Sequence, residues 1–223
     1  MTITQFGATL LVGIGLLATL VVAEGSNPMV TLNTTMGDIT LELYPDKAPI
    51  TVENFLKYVD DGFYKGTIFH RVIRNFMIQG GGFNNKMAKK STRAAIKNEA
   101  ANGLKNSRGT IAMARTAVPD SATAQFFINT VDNRSLDFKN PSRRGIGYCV
   151  FGRVVEGLDI ADKIESVSTG VRGGMRDVPQ SDILIMDATR KTVVAETTAE
   201  TTAETEAVAE PVEMLPPVAE LAE

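Results

Sequence analysis

From Met29 onward the chain alternates apolar and polar positions. In VTLNTT, Val30 and Leu32 fall on one face, and in ITLELY, Ile39, Leu41 and Leu43 do the same. A period of two marks a strand with one buried face, and Met36-Gly37-Asp38 between the runs predicts a β-hairpin. The period then changes. After Pro49, the residues Val52, Phe55, Leu56 and Val59 recur at i, i+3, i+4 and i+7, and Gly62 follows. That spacing predicts an amphipathic helix with Glu53, Asn54, Lys57 and Tyr58 on its outer side or edges.

Six further apolar runs follow: TIFHRVI, FMIQG, GTIAMA, QFFINT, YCVFGRVV and DILIMDA. Each is short and bounded by Gly, Asn, Pro or charged residues, as expected of strands. Gly80-Gly81-Gly82 reads as a strand-terminating turn. A second helix fits GLDIADKIESV, where Leu158, Ala161 and Ile164 recur. About eight strands and two helices, without alternating βαβ units, suit a mainly β fold. A closed or nearly closed antiparallel barrel with helices at its openings removes exposed sheet edges, so it is the expected architecture.

The two ends break the pattern. Residues 6–23, FGATLLVGIGLLATLVVA, carry no charge. They are near the lower limit for a spanning helix, and Val21-Val22-Ala23 before Glu24 suits a signal cleavage site. The opening MTITQ lacks the basic residue that normally starts a signal, and the run holds three Gly and two Thr. Residues 1–25 are therefore expected to be a signal peptide or membrane anchor, with a cytoplasmic protein as the alternative. The other end repeats AETT, AETT, AETE before a Pro-containing stretch. Glu at i and i+4 repels within a helix, and few large apolar residues are available to bury. Residues 191–223 are expected to be a disordered acidic tail.

Charge sharpens this division. The net charge of −3 comprises eight Glu and one Lys from residue 191 onward, leaving residues 1–190 at 22 − 18 = +4. No run of Lys or Arg exceeds two residues, so nucleic-acid binding is not expected. One Cys and one His argue against a zinc site, and Cys149 in an apolar run reads as a small buried hydrophobe. No hydrolase elbow or phosphate-binding loop is present. Asn33-Thr34-Thr35 and Asn133-Arg134-Ser135 match the glycosylation pattern, which is common by chance. His70 has no carboxylate near it in sequence and is expected to be structural, hydrogen-bonded near the barrel wall.

In order, FHRVIRNFMIQGGGF, NEAANGLKNSRGTIAMAR, SATAQFFINT, LDF and GYCVFGRVVEGLDIADKI strongly resemble a cyclophilin-type peptidyl-prolyl isomerase of the bacterial branch. The resemblance runs from about Val30 to Ala188, within an expected isomerase domain at 28–190. It implies an eight-stranded antiparallel barrel capped by two α-helices. It also implies catalysis of rotation about X-Pro bonds, with no cofactor or metal. By position, Arg71 matches the catalytic arginine, and Gln79 the glutamine that bonds substrate backbone and helps hold the arginine. Phe76, Met77, Phe127 and Leu136 match the proline pocket. Ala114 and Arg115 match the backbone-pairing positions, Gln125 lines the same groove, and Tyr148 stands where animal members place a histidine. Ser135 replaces a frequent Trp, which implies weak cyclosporin sensitivity, and Arg74-Asn75 replaces a frequent Pro-Gly.

The expected partners are proline-containing unfolded or newly exported polypeptides. The expected location is the periplasm, either soluble or attached to the inner membrane through residues 6–23. A monomer is expected, since a closed sheet needs no partner strand. The alternative function is a chaperone or scaffold that binds Pro-containing segments with little catalysis.

Overall fold

The computed structural model describes residues 27–191. The expectations for residues 1–25 and for the tail at 191–223 lie outside the described residues, except that Lys191 ends a strand. Among the described residues, eight strands close an antiparallel barrel in the order β1-β10-β3-β4-β6-β5-β7-β2. These are β1 (Met29–Thr34), β2 (Gly37–Leu43), β3 (Thr67–Ile73), β4 (Met77–Asn84), β5 (Thr110–Met113), β6 (Phe126–Asn129), β7 (Val150–Glu156) and β10 (Leu184–Lys191). The helices are α1 (Pro49–Asp60) and α2 (Leu158–Glu165). The eight-stranded barrel with two helices is the fold expected from the sequence.

Alternation sets what faces inward. In the first hairpin Val30 pairs with Leu41 and Leu32 with Ile39, and all four are buried. They share the main core with Ile78, Ile111, Met113, Phe126, Ile128 and Phe151. Phe55 of α1 packs among the rings of Tyr64, Phe126 and Phe151, with centroids 5.2, 5.8 and 5.2 Å away. Ala161 and Ile164 of α2 join the same core.

No side chain of its own caps the N-terminus of α1. Glu99, distant in sequence, accepts hydrogen bonds there from Ile50 N at 3.2 Å, Thr51 N at 2.8 Å and Thr51 Oγ1 at 2.7 Å. An anionic carboxylate suits those free amides and the positive end of the helix.

The structure corrects four expectations. Asn54 and Tyr58 are buried rather than outer, because each has a distant polar partner. Asn54 Nδ2 donates to Thr123 O at 2.7 Å, and Tyr58 Oη accepts from Arg93 N at 2.8 Å. The first turn lies at Thr35-Met36, with Gly37 already in β2. Gly80-Gly81-Gly82 lies inside β4 instead of ending it. There Gly81 has φ +78, and a Cβ on Gly82 would come within 2.4 Å of the Gln125 side chain. The triplet thus admits neighbours at an irregular part of the β3–β4 ladder. Finally, two strands were not foreseen: β8 (Thr169–Arg172) and β9 (Met175–Pro179) form a separate hairpin.

Candidate active site

The strands that point Ile78, Ile111, Phe126 and Ile128 inward turn their alternate residues outward. Met77, Ala112, Phe127 and Val150 form a second apolar cluster, flanked by Ile73, Phe76, Leu104, Ala114, Leu136 and Tyr148. Cross-strand register orders its centre. Arg71 pairs with Gln79, Gln79 with Phe127, Phe127 with Ala112, and Ala112 with Val150. Residues directly opposed in antiparallel strands share a face, so this is one transverse row crossing five strands.

Above the row lies a cavity of about 220 Å³ lined by Arg71, Phe76, Met77, Gln79, Phe127, Leu136 and Tyr148. A neighbouring cavity of about 130 Å³ is lined by Gln79, Lys89, Ala114, Arg115, Thr116, Ser121, Thr123 and Gln125. Every site residue expected from the sequence therefore lines one of two adjoining cavities, and Gln79 lines both.

The apolar wall is braced. The rings of Phe127 and Tyr148 meet edge to face at 5.7 Å, and the Arg115 guanidinium lies 4.5 Å from the Tyr148 ring centroid. Arg115 Nε also donates to Gly147 O at 3.0 Å. Phe76 is held through its carbonyl, which accepts from Asn133 Nδ2 at 2.7 Å and Thr130 N at 3.2 Å. Asn133 is 7% exposed and also donates to Asn129 Oδ1 at 2.7 Å. Asn133, the first residue of one pattern that matched glycosylation, is thus a buried support of the cavity.

Two polar residues differ from expectation. Gln79 does not hold Arg71: its Nε2 donates to Gln125 Oε1 at 3.0 Å. The group near Arg71 is Asp177 of β9, whose Oδ2 lies 3.8 Å from Arg71 Nε. Sequence reasoning missed Asp177 because it missed the hairpin carrying it. His70 is buried as expected, but its Nδ1 has no hydrogen-bond partner. Its ring packs 4.7 Å from that of Phe83. Burial lowers its pKa to about 4, opposed by the Ile68 backbone and the Gln125 side chain and assisted by the Arg71 charge. At neutral pH it is an uncharged wall residue. Cys149 is also buried, and desolvation pushes its thiol up to about 11. Ser135 is exposed beside Leu136 at the cavity rim.

Known proteins match this body. The family described as "Cyclophilin type peptidyl-prolyl cis-trans isomerase/CLD" matches residues 29–190. Peptidyl-prolyl cis-trans isomerase B of Escherichia coli is 59% identical over 161 residues, covering 72% of this chain and 98% of the relative. A peptidyl-prolyl cis-trans isomerase of Acinetobacter baylyi is 54% identical over 168 residues, covering 75% of this chain and 88% of the relative. A Cryptosporidium parvum cyclophilin-type isomerase crystallised in the presence of the dipeptide Ala-Pro superposes with a TM-score of 0.63. It has 27% identity and covers 74% of this chain and 99% of that one. With its barrel, its outward row and these relatives in agreement, the chain belongs to the cyclophilin-type peptidyl-prolyl cis-trans isomerase family.

Proposed function

We propose that the outward groove performs this isomerisation by electrostatic stabilisation of the twisted amide, without a covalent intermediate. An X-Pro amide resists rotation by roughly 18–20 kcal/mol because nitrogen shares its lone pair with the carbonyl. The two isomers differ by only about 0.5–1 kcal/mol, so lowering the barrier is the whole task. As the bond twists, the prolyl nitrogen becomes pyramidal and basic. A permanently cationic guanidinium beside it favours that state over the planar ones, and this difference accelerates the reaction.

In this reading the prolyl ring fills the cavity over Phe76, Met77, Phe127 and Leu136, with Tyr148 closing its far side. Arg71 meets the prolyl nitrogen, Gln79 aligns the flanking backbone, and Ala114 and Arg115 pair with the residue before proline beside Gln125. The observation that carries it is the transverse row, in which one arginine borders an apolar cavity sized for a ring. The test is an isomerisation assay on an Ala-Pro peptide. Arg71→Ala is expected to lower kcat/KM by about a hundredfold. Equal rates would sink the mechanism, and peptide binding with refolding activity independent of Arg71 would favour a holding chaperone instead.

The clients proposed are proline-containing unfolded or newly exported polypeptides. The uncharged run at residues 6–23 supports export to the periplasm, by a cleaved signal or an inner-membrane anchor. N-terminal sequencing of the mature protein from soluble and membrane fractions tests this. An intact Met1 terminus on soluble cytoplasmic protein overturns it.

A further inference from the structure

We infer that Asp177 is a positioning residue that aligns the Arg71 guanidinium from outside the cavity, which rests on Arg71 being the catalytic cation. Among the described residues, no hydrogen bond is made to the Arg71 side chain, and Gln79 commits its amide to Gln125. The carboxylate of Asp177, 3.8 Å from Arg71 Nε, is the one anionic group described within ion-pair distance. Arg71 lines the cavity of about 220 Å³ and Asp177 does not. The carboxylate therefore meets the Nε edge of the guanidinium and leaves the cavity side to substrate.

The hairpin that carries Asp177 is built to aim it. The register of β8 and β9 slips between Gly170 and Arg172, so that Arg176 and Asp177 of β9 together oppose Val171 of β8 in a bulge. At the bulge Asp177 has φ +62, a left-handed conformation that Asp tolerates better than most residues but that still costs free energy. A bulge with a left-handed residue breaks strand alternation and redirects a side chain. Next to it, Val178 is 2% exposed and anchors the strand. At the other side of the hairpin, Arg172 pairs with Asp182 at 2.7 Å and also donates to Asn85 O. A strained acidic residue between firm anchors, directed at the one cation that lines the proline cavity, fits a role in orienting that cation. The separation exceeds hydrogen-bonding distance, so the effect is electrostatic alignment of a half-exposed pair and is modest.

The test uses full-length protein, an Ala-Pro peptide, and separate measurement of kcat, KM and the Arg71 Nε–H NMR resonance. Asp177→Asn keeps the shape and tolerates the left-handed backbone while removing the charge. It is expected to lower kcat about two- to fivefold with KM nearly unchanged, and to shift or broaden the Arg71 resonance. Asp177→Glu restores part of kcat, and Asp177→Gly, which relieves the backbone, reproduces the loss. In an Arg71→Ala background Asp177→Asn has no further effect. Unchanged or increased kcat in Asp177→Asn overturns the inference, as does an equal loss with and without Arg71. If Arg71→Ala itself leaves activity intact, the catalytic reading fails instead, and the two failures are distinguishable.

Discussion

Gln79 donates its side-chain amide to the side-chain oxygen of Gln125 at 3.0 Å, across the boundary between the two cavities. Gln125 lies over Gly82, where a Cβ would collide with it, so β4 and the segment before β6 approach closely here. Gln125→Ala removes the partner and leaves Gln79 free to rotate. The expected result is a fall in kcat/KM of about two- to tenfold, carried by KM, the size of one lost hydrogen bond. Steady-state kinetics on peptides checks it, and an unchanged KM overturns it.

His70 links the same region to pH. Folded, it takes its proton only near pH 4, against an ordinary value of 6.5, because burial penalises the charged ring. Between these values the unfolded chain holds the extra proton, so stability rises with pH through the window. The contribution is fully present above pH 6.5, shrinks as pH falls, and is gone at about pH 4. Its full size is roughly 3 kcal/mol. Denaturant titrations from pH 7 to 4 are expected to show this slope in the wild type and to lose it in His70→Phe. The same slope in both proteins would exclude His70 as its source.

What could be read from the sequence depended on whether burial followed a simple period. Met77, Phe127 and Ala112 occupy alternate positions to Ile78, Phe126 and Ile111, but both sets are apolar and buried. Strand pattern therefore did not separate groove from core, and only the resemblance assigned Met77 and Phe127 to the proline pocket. The resemblance then brought Arg71 and Gln79 to the same groove. Asn54 and Tyr58 were misplaced because distant backbone partners, not periodicity, make their burial affordable. The β8–β9 hairpin escaped because TGVRGGMRDVP has charged and glycine residues where a strand would show alternation. Its conformation depends on a bulge and on contacts from elsewhere in the fold. With it, Asp177 was missed.

Glu99 ties α1 to the segment before β5, supplying three hydrogen bonds to a helix with no cap of its own. Glu99→Ala leaves two backbone amides and the Thr51 hydroxyl without that acceptor. The fold is expected to lose about 1–2 kcal/mol. A lower denaturant midpoint with an unchanged slope checks this, and a midpoint equal to the wild type rules out the capping role.

Cys149 combines burial at 3% exposure with a thiol pushed up to about 11. Since the thiolate is the reactive form, native protein is expected to resist thiol reagents at pH 8. Modification becomes rapid only in denaturant. Fast labelling of the folded protein would contradict the burial-driven shift.

The turn between β3 and β4 joins Arg71 to Phe76, and α2 fastens it. Asn75 N donates to Glu165 Oε1 at 2.7 Å, the same oxygen accepts from Thr130 Oγ1 at 2.5 Å, and Arg74 donates to Ser166 O at 3.0 Å. Asn75 sits at φ +55, a conformation open to Gly and tolerated by Asn but strained for a branched side chain. Asn75→Gly is therefore expected to change stability by less than about 1 kcal/mol, because relief of strain offsets the greater freedom of the unfolded chain. Asn75→Val is expected to cost about 1–3 kcal/mol. Glu165→Ala removes two acceptor contacts at once and loosens the hairpin, so both stability and kcat are expected to fall while the helix itself remains. Thermal unfolding and peptide kinetics on the three variants check the set. Equal stability of the Gly and Val variants would show that the turn is not held left-handed, and wild-type kcat in Glu165→Ala would show that α2 does not steady the groove.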